Sequence, residues 1–193
     1  MLKIIITFIS TSQAAILGQK PQMGWNSWNR FHCDINSTII EGAADAVISL
    51  GLKDLGYNYI NIDDCWQAKE RASNGHVVPD PTKFPNMTAV GDYIHGKGLK
   101  FGIYSSAGTK TCGGYPGGLG HEVDDANDYA SWGVDYLKYD NCFNLGVAAT
   151  KRYGDMANAL NATGREIFYS ICNWGDEQVA EWGNTMANSW RTT

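Results

Sequence analysis

The stretch 134–142 (VDYLKYDNC) shows the two-residue alternation of a buried β-strand and ends in charged residues. Leu137 and Tyr139 fall on one face, whereas Tyr136, Lys138 and Asp140 fall on the other. We expect the Lys138 ammonium to lie beside the Asp140 carboxylate, where it favours the ionised form and a competent nucleophile. The pattern alone fits a surface ion pair on an edge strand equally well.

Segments with strand and helix patterns alternate along the chain. Strands are predicted at 23–28, 59–64, 100–104, 134–142, 167–172 and from 189, with helices at 38–50, 88–95, 122–132, 147–160 and 177–182. The first helix should begin after Asn36 or Ser37 and bury an apolar face made of Ile39, Ala43, Ala46, Val47 and Leu50. Units of roughly 30 to 40 residues predict parallel strands with right-handed helical crossovers.

The residues that end the strands distinguish an open doubly wound sheet from a (β/α)8 barrel. Polar or aromatic side chains end five successive strands, namely Asp63, Asp64, Tyr104, Asp140, Cys172, Trp174 and Arg191. In a barrel all strand ends share one mouth, whereas an open sheet uses only those near its switch point. The pattern therefore favours the barrel. Six strands are fewer than its eight, so we expect residues 16–193 to form only its N-terminal part; a complete six-stranded open α/β protein is the alternative.

Composition and motifs exclude several classes of function. The 193 residues carry a net charge of −5 without a basic run, which argues against a nucleic-acid partner. No GxGxxG, Walker loop or nucleophile elbow occurs, and the four histidines are scattered. We therefore expect no cofactor and no metal. Carboxylates and aromatic residues at a barrel mouth are the requirement of glycoside hydrolysis.

The N-terminus has the pattern of a secretory signal peptide over residues 1–15. Lys3 precedes a short apolar run, and Ser12 to Ala15 offer small residues for cleavage. The run is too short to span a bilayer, and no other segment is apolar enough, so no membrane partner is expected. Three sequons, at Asn36, Asn86 and Asn161, support a secreted glycoprotein.

Five motifs in register resemble glycoside hydrolase family 27, the α-galactosidase (melibiase) family. They are MGWNSW at 23–28, IDDCW at 62–66, YLKYDNC at 136–142, CNWG at 172–175 and WR at 190–191. The resemblance covers nearly the whole chain after residue 15. It implies a (β/α)8 barrel that hydrolyses terminal α-galactosyl residues with retention. The expected partner is a galactose-containing oligosaccharide or polysaccharide, such as melibiose, raffinose-type sugars or galactomannan.

The resemblance also implies roles for individual residues. Asp140 is similar to the nucleophile, and Asp63 and Asp64 to the pair that grips the sugar hydroxyls. The other side chains that resemble the galactose subsite are Trp28, Tyr104, Lys138 and Arg191, whereas Trp25 is expected to pack in the core. Cys172 and Trp174 resemble the bulkier version of this segment that galactosidases have, in which the aromatic side chain fills the space beside the sugar C2. This favours galactose over an α-N-acetylgalactosaminidase, and a non-catalytic galactose-binding protein is the alternative of another class.

The same resemblance implies two disulfides and a missing acid. It pairs Cys33 with Cys65 and Cys112 with Cys142, and leaves Cys172 free at the sugar site. A retaining glycosidase needs a second carboxyl group as acid and base. In the family that Asp follows the Trp-Arg motif by a few residues, where this chain has only Thr192 and Thr193. Asp176 and Glu177 fit the start of a helix better. We therefore expect a fragment that lacks the acid/base residue and is inactive by itself.

Overall fold

The computed structural model describes residues 17–193, so the predicted signal peptide at 1–15 lies outside the described residues. The strands are β1 Gly24–Asn26, β2 Tyr59–Asn61, β3 Lys100–Ser106, β4 Tyr136–Asp140, β5 Phe168–Cys172 and β6 Ser189–Trp190. The helices are α1 Trp28–Phe31, α2 Ser37–Ser49, α3 Met87–Gly96, α4 Glu122–Ser131, α5 Ala149–Ala162 and α6 Val179–Trp182. Short 3-10 turns lie at Lys53–Leu55, Asp176–Gln178 and Gly183–Thr185.

The strands form one parallel sheet in the sequential order β1-β2-β3-β4-β5-β6. Sequential order distinguishes this sheet from a doubly wound one, in which the strand order reverses at a switch point. In the centre, Tyr104 lies opposite Lys138, and Asp140 lies opposite Cys172. The prediction of the N-terminal part of a (β/α)8 barrel is confirmed.

The outer face of the sheet is apolar and packs under the helices. Ile60, Phe101, Ile103 and Leu137 are fully buried in this layer. Trp25 packs against the same core, as expected. Such continuous burial is typical of parallel strands that are covered on both faces. The alternation of β4 therefore separates the helix-facing side from the barrel interior.

The predicted apolar face of helix α2 was only partly right, because Val47 is buried as expected but Leu50 is not. The helix buries Ile40, Ala44 and Val47, whereas Leu50 is 70% exposed. Two apolar stripes run side by side along this helix, and spacing alone does not say which of them meets the sheet. Of the two expected N-cap residues, Asn36 and Ser37, the structure shows Asn36, because its Oδ1 accepts a hydrogen bond from the Ile39 amide at 3.0 Å.

The barrel interior changes from apolar to polar along the strands. At the amino ends, Tyr59, Tyr136 and Phe168 form an aromatic layer, with the Tyr136 and Phe168 rings stacked at 5.4 Å. At the carboxyl ends the inward positions carry Asp63, Lys138 and Asp140 instead. The aromatic layer thus fills the interior at the amino ends of the strands, and the charged side chains lie at the carboxyl ends. Within residues 17–193, no helix has the length and apolar content to cross a membrane.

Candidate active site

Asp140 ends β4 with only 6% of its surface exposed, and both of its carboxylate oxygens accept hydrogen bonds. Oδ1 accepts from the Asn141 amide at 2.9 Å and from the Trp174 indole at 2.8 Å. Oδ2 accepts from the Tyr104 hydroxyl at 3.0 Å. Donors to the charged form of a carboxylate stabilise that form and fix its orientation. The Asp140 carboxyl group is therefore held in one orientation at the mouth of the sheet.

Lys138 pairs with Asp63 and not with Asp140, so the expected contact was wrong. Its Nζ lies 2.8 Å from the Oδ2 of Asp63 and 5.0 Å from the centroid of the Tyr104 ring. Residues two apart on a strand are separated by about 6.5 Å along it, whereas a long side chain easily crosses one neighbouring strand. Burial opposes the charge of Lys138, but the adjacent Asp63 carboxylate outweighs it and raises the pKa of the ammonium.

Asp63 and Asp64 are both buried and held by different parts of the chain. The Oδ2 of Asp63 also accepts from the Asn26 side chain at 2.8 Å, and its Oδ1 accepts from the Asp64 amide at 2.9 Å. The Oδ2 of Asp64 accepts from the Gly113 amide at 2.6 Å, where a Cβ would come within 3.1 Å of that oxygen. Burial raises the pKa of Asp64, against hydrogen bonds from Thr111, Gly113 and Cys65.

Tyr104 and Cys172 flank Asp140 on the two neighbouring strands. Burial, with the negative field of Asp140, Asp64 and Asp63, raises the pKa of the Tyr104 phenol, which keeps it a hydrogen-bond donor. Burial and then the Asp140 charge raise the pKa of the Cys172 thiol to about 11. Cys172 is the free cysteine among the described residues and lies beside the site, as expected.

The remaining predicted residues, Trp174, Arg191 and Trp28, lie at the same edge of the sheet, but they differ in whether they contact Asp140. Trp174 is 41% exposed and adopts a positive φ of 64°, yet its indole reaches Asp140. Arg191 follows β6 and is exposed. The Trp28 amide donates to the Asn26 Oδ1 at 2.9 Å, and its ring packs edge-on against His32 at 5.1 Å.

Both disulfides implied by the resemblance are present in the structure. Cys33 is joined to Cys65, and Cys112 to Cys142. The sulfur atoms of Cys112 and Cys142 lie within 4.8 Å of a carboxylate oxygen of Asp140. The second disulfide therefore forms part of the wall around Asp140.

Sequence reasoning missed several side chains that build this site. Asn26 and Ser27 support Asp63, because the Ser27 hydroxyl accepts from the Asp63 amide at 2.9 Å. Asn141 and Arg152 lie behind Asp140. Asn26, Ser27 and Asn141 stand inside the quoted motifs, so the motifs themselves were the available signal. Arg152 is on a helix and has no such signal.

Comparison with known proteins identifies the family. The model of the family described as "Alpha galactosidase A" matches residues 20–190. The chain belongs to this family, which is the glycoside hydrolase family 27 that its motifs resemble. It is 60% identical over 178 residues to alpha-galactosidase 3 of Arabidopsis thaliana, and 55% identical over 179 residues to the alpha-galactosidase of Cyamopsis tetragonoloba.

Solved structures agree with the sequence relatives. Alpha-galactosidase I of Mortierella vinacea superposes with a TM-score of 0.89 at 53% identity, over 91% of this chain and 46% of that one. The alpha-galactosidase of Saccharomyces cerevisiae, solved with raffinose, gives a TM-score of 0.89 at 51% identity, over 91% and 40%. The two plant relatives are matched over 92% of this chain, which spans 41% and 44% of their own lengths.

Proposed function

We propose that the protein containing this chain is a retaining glycosidase that removes terminal α-D-galactosyl residues from galactosides. The observation that carries this proposal is the arrangement of Asp140, whose carboxylate is fixed by hydrogen bonds beside the Asp63–Lys138 pair in one barrel mouth. Family membership supports it. In this proposal residues 16–193 supply the nucleophile and most of the galactose subsite.

The proposed first step is attack of Asp140 on the sugar C1. Oδ1 accepts two hydrogen bonds and Oδ2 only one, so Oδ2 has the freer lone pair and is the attacking atom. The new bond joins Oδ2 to C1, and the bond from C1 to the leaving oxygen breaks as that oxygen takes up a proton. In the second step the acid/base residue takes a proton from a water molecule as that water attacks C1, and the bond from C1 to Oδ2 breaks to release the sugar and the carboxylate.

We propose that neither Asp63 nor Asp64 is the acid that protonates the leaving group. Asp63 is paired with Lys138 and accepts from Asn26, and Asp64 is tied to Gly113 and Cys65. Carboxylates held this way suit hydrogen bonds from sugar hydroxyls better than proton transfer. The acid/base residue is then proposed to lie outside residues 17–193.

Galactose is the proposed sugar because of what lies beside Asp140. Cys172 is opposite Asp140 in the sheet, and Trp174 leans onto the Asp140 carboxylate, so both fill space next to the sugar C1 and C2. A 2-acetamido group needs that space, which disfavours the α-N-acetylgalactosaminidase alternative. The Saccharomyces cerevisiae relative solved with raffinose supports a galactose-containing oligosaccharide as the partner.

We further propose that the protein is secreted after cleavage of residues 1–15. The two disulfides support an oxidising compartment. The sequon asparagines Asn36, Asn86 and Asn161 are all exposed. Asn36 and Asn86 cap helices through Oδ1, which leaves Nδ2 free to carry a glycan.

The test is hydrolysis of an aryl α-galactoside by the protein isolated from its own source, followed by NMR of the anomeric proton. We expect α-galactose as the first product. First release of β-galactose would contradict the retaining mechanism. Faster hydrolysis of the aryl α-N-acetylgalactosaminide would favour the alternative, and galactose binding without turnover would favour a lectin-like protein.

A further inference from the structure

Arg152 of α5 is a buried cation directly behind the catalytic strand end. Only 1% of its surface is exposed. Its guanidinium donates to the Val147 carbonyl at 2.6 Å, the Ala107 carbonyl at 3.0 Å and the Asn141 Oδ1 at 2.9 Å. No ion pair of the described residues includes it. A buried charge without a counter-ion is costly unless hydrogen bonds compensate it, so these three bonds must hold the guanidinium in place.

The contact with Asn141 fixes the orientation of an amide that holds two elements. Because Arg152 donates to Oδ1, the Nδ2 of Asn141 must face the other way. It donates to the Asn173 carbonyl at 3.3 Å and to the Asp176 carboxylate at 3.0 Å. The Asn141 backbone amide meanwhile donates to Asp140 Oδ1. Asn141 thus couples the nucleophile to the loop after β5.

That loop carries the second donor to the same oxygen of Asp140. It runs from 173 to 178 and contains three non-glycine residues with positive φ, namely Trp174, Glu177 and Gln178. Such conformations are unfavourable for residues other than glycine and persist only when the surroundings impose them. The bonds from Asn141 to Asn173 and Asp176 are among the contacts that hold this loop, and the loop carries the Trp174 indole that donates to Asp140.

We propose that Arg152 is a positioning residue for the nucleophile, which acts through Asn141 and the 173–178 loop to aim the Trp174 indole at Asp140. Arg152 touches neither the sugar nor the Asp140 side chain in this role. The Val147 and Ala107 carbonyls hold the Arg152 guanidinium, whose third donor orients Asn141. Asn141 anchors the loop at Asn173 and Asp176, and the loop presents Trp174. The activity part of the test rests on the proposed function.

Arg165 offers a matched control at the opposite end of the same strand. Its guanidinium donates to the Val134 carbonyl at 2.6 Å, the Gly133 carbonyl at 2.9 Å and the Asp135 carboxylate at 2.6 Å, just before β4 begins. Arg152→Lys and Arg165→Lys both keep the charge and lose the planar fork. Both should lower the melting temperature, but only Arg152→Lys should disturb the nucleophile.

The kinetic test compares both variants with the parent on an aryl α-galactoside. We expect kcat to fall about 10- to 100-fold in Arg152→Lys, since small misplacements of a reacting group have effects of this size, and to stay within about twofold in Arg165→Lys. The inhibition constant of galactose should change much less than kcat in Arg152→Lys, because Asp63, Asp64 and Lys138 are untouched, and it should stay unchanged in Arg165→Lys. Equal kcat values in the two variants would overturn the proposal. So would an inhibition constant of galactose that rises in Arg152→Lys by the same factor as kcat falls.

A spectroscopic readout separates this inference from the proposed activity. The protein is labelled with 5-fluorotryptophan and its fluorine NMR spectrum is recorded. The Trp174 signal is the one that is missing from the spectrum of the Trp174→Phe variant. We expect this signal to shift in Arg152→Lys and to stay in place in Arg165→Lys. An inactive parent in which the shift occurs would refute the proposed function and support the positioning role. If the parent is active but the Trp174 signal does not move in Arg152→Lys, the result would support the proposed function and refute the positioning role.

If Arg152→Lys does not fold, the Asp176→Ala variant tests whether Asn141 and the 173–178 loop position the Trp174 indole. Asp176 is exposed, so its removal buries no unpaired charge, yet it removes an anchor of the Asn141 side chain. We expect a several-fold lower kcat and a shifted Trp174 signal at an unchanged melting temperature. A normal kcat and an unmoved signal would overturn the proposal.

Discussion

The Lys138 ammonium crosses the inner face of β3 and lies 2.8 Å from the Oδ2 of Asp63, although Lys138 shares a strand face with Asp140. The side chain of Asp63 is only 3% exposed, whereas that of Lys138 is 26% exposed. Lys138 therefore serves the carboxylate pair of the proposed sugar subsite. Asp140 relies on neutral donors instead.

Lys138→Met should leave the Asp63 charge buried and without its cation. Removing one partner of a buried pair costs about 3–5 kcal/mol, and solvent access to Lys138 places this pair at the lower end of that range. Urea unfolding of Lys138→Met, Asp63→Asn and the double variant measures the effect. We expect the double variant to lose less free energy of unfolding than the two single losses combined. Additive losses would contradict a direct pair.

Asp140→Asn should remove turnover while it preserves the shape of the site. The amide keeps an oxygen that accepts hydrogen bonds but cannot attack C1. We expect the aryl α-galactoside to bind with a similar Kd, measured by calorimetry, and added azide to restore release of the aryl group. Substantial activity without azide would rule out Asp140 as the nucleophile.

The Cys172 thiol should resist alkylation well above neutral pH. Its pKa is raised from 9.0 to about 11, so at pH 8 the thiolate is about a hundredfold scarcer than in an unfolded chain. The neutral thiol favours the fold below pH 9, and this contribution is lost as the pH rises from 9 to 11. We expect the iodoacetamide rate, followed by mass spectrometry, to rise until about pH 11. A plateau near pH 9 would contradict the raised pKa.

The Cys112–Cys142 disulfide should contribute both stability and activity. It spans 30 residues, for which the chain-entropy model gives about 3.5 kcal/mol. The double variant Cys112→Ser/Cys142→Ser should lose about this much free energy of unfolding, and also activity, because both sulfur atoms adjoin Asp140. The Cys33–Cys65 disulfide spans 32 residues and is the control for the stability term. Normal activity without Cys112–Cys142 would contradict its place in the wall.

The order of the elements and the strand-end residues were predictable because both depend on local pattern. The alternation in 136–140 identifies which side chains enter the barrel, and parallel crossovers bring strand ends to one edge. Cys172, predicted at the end of a strand, lies at this edge opposite Asp140.

Contacts between distant elements were not predictable from local pattern. The partner of Lys138 depends on the reach of its side chain across β3, and a strand period carries no information on that. Arg152 reads as an ordinary helical cation until α5 packs against Ala107, 45 positions earlier. The buried face of α2 likewise depends on which of two apolar stripes meets the sheet.

The most direct test of the central claim is to trap the covalent intermediate. The protein from its own source is treated with a fluorinated α-galactosyl fluoride, which slows the second step, and its peptides are sequenced by mass spectrometry. We predict one fluorogalactosyl adduct, in the peptide that contains residues 136–142, on the Asp140 carboxylate. A stable adduct on any other carboxylate, or turnover without an adduct, would contradict the proposed mechanism.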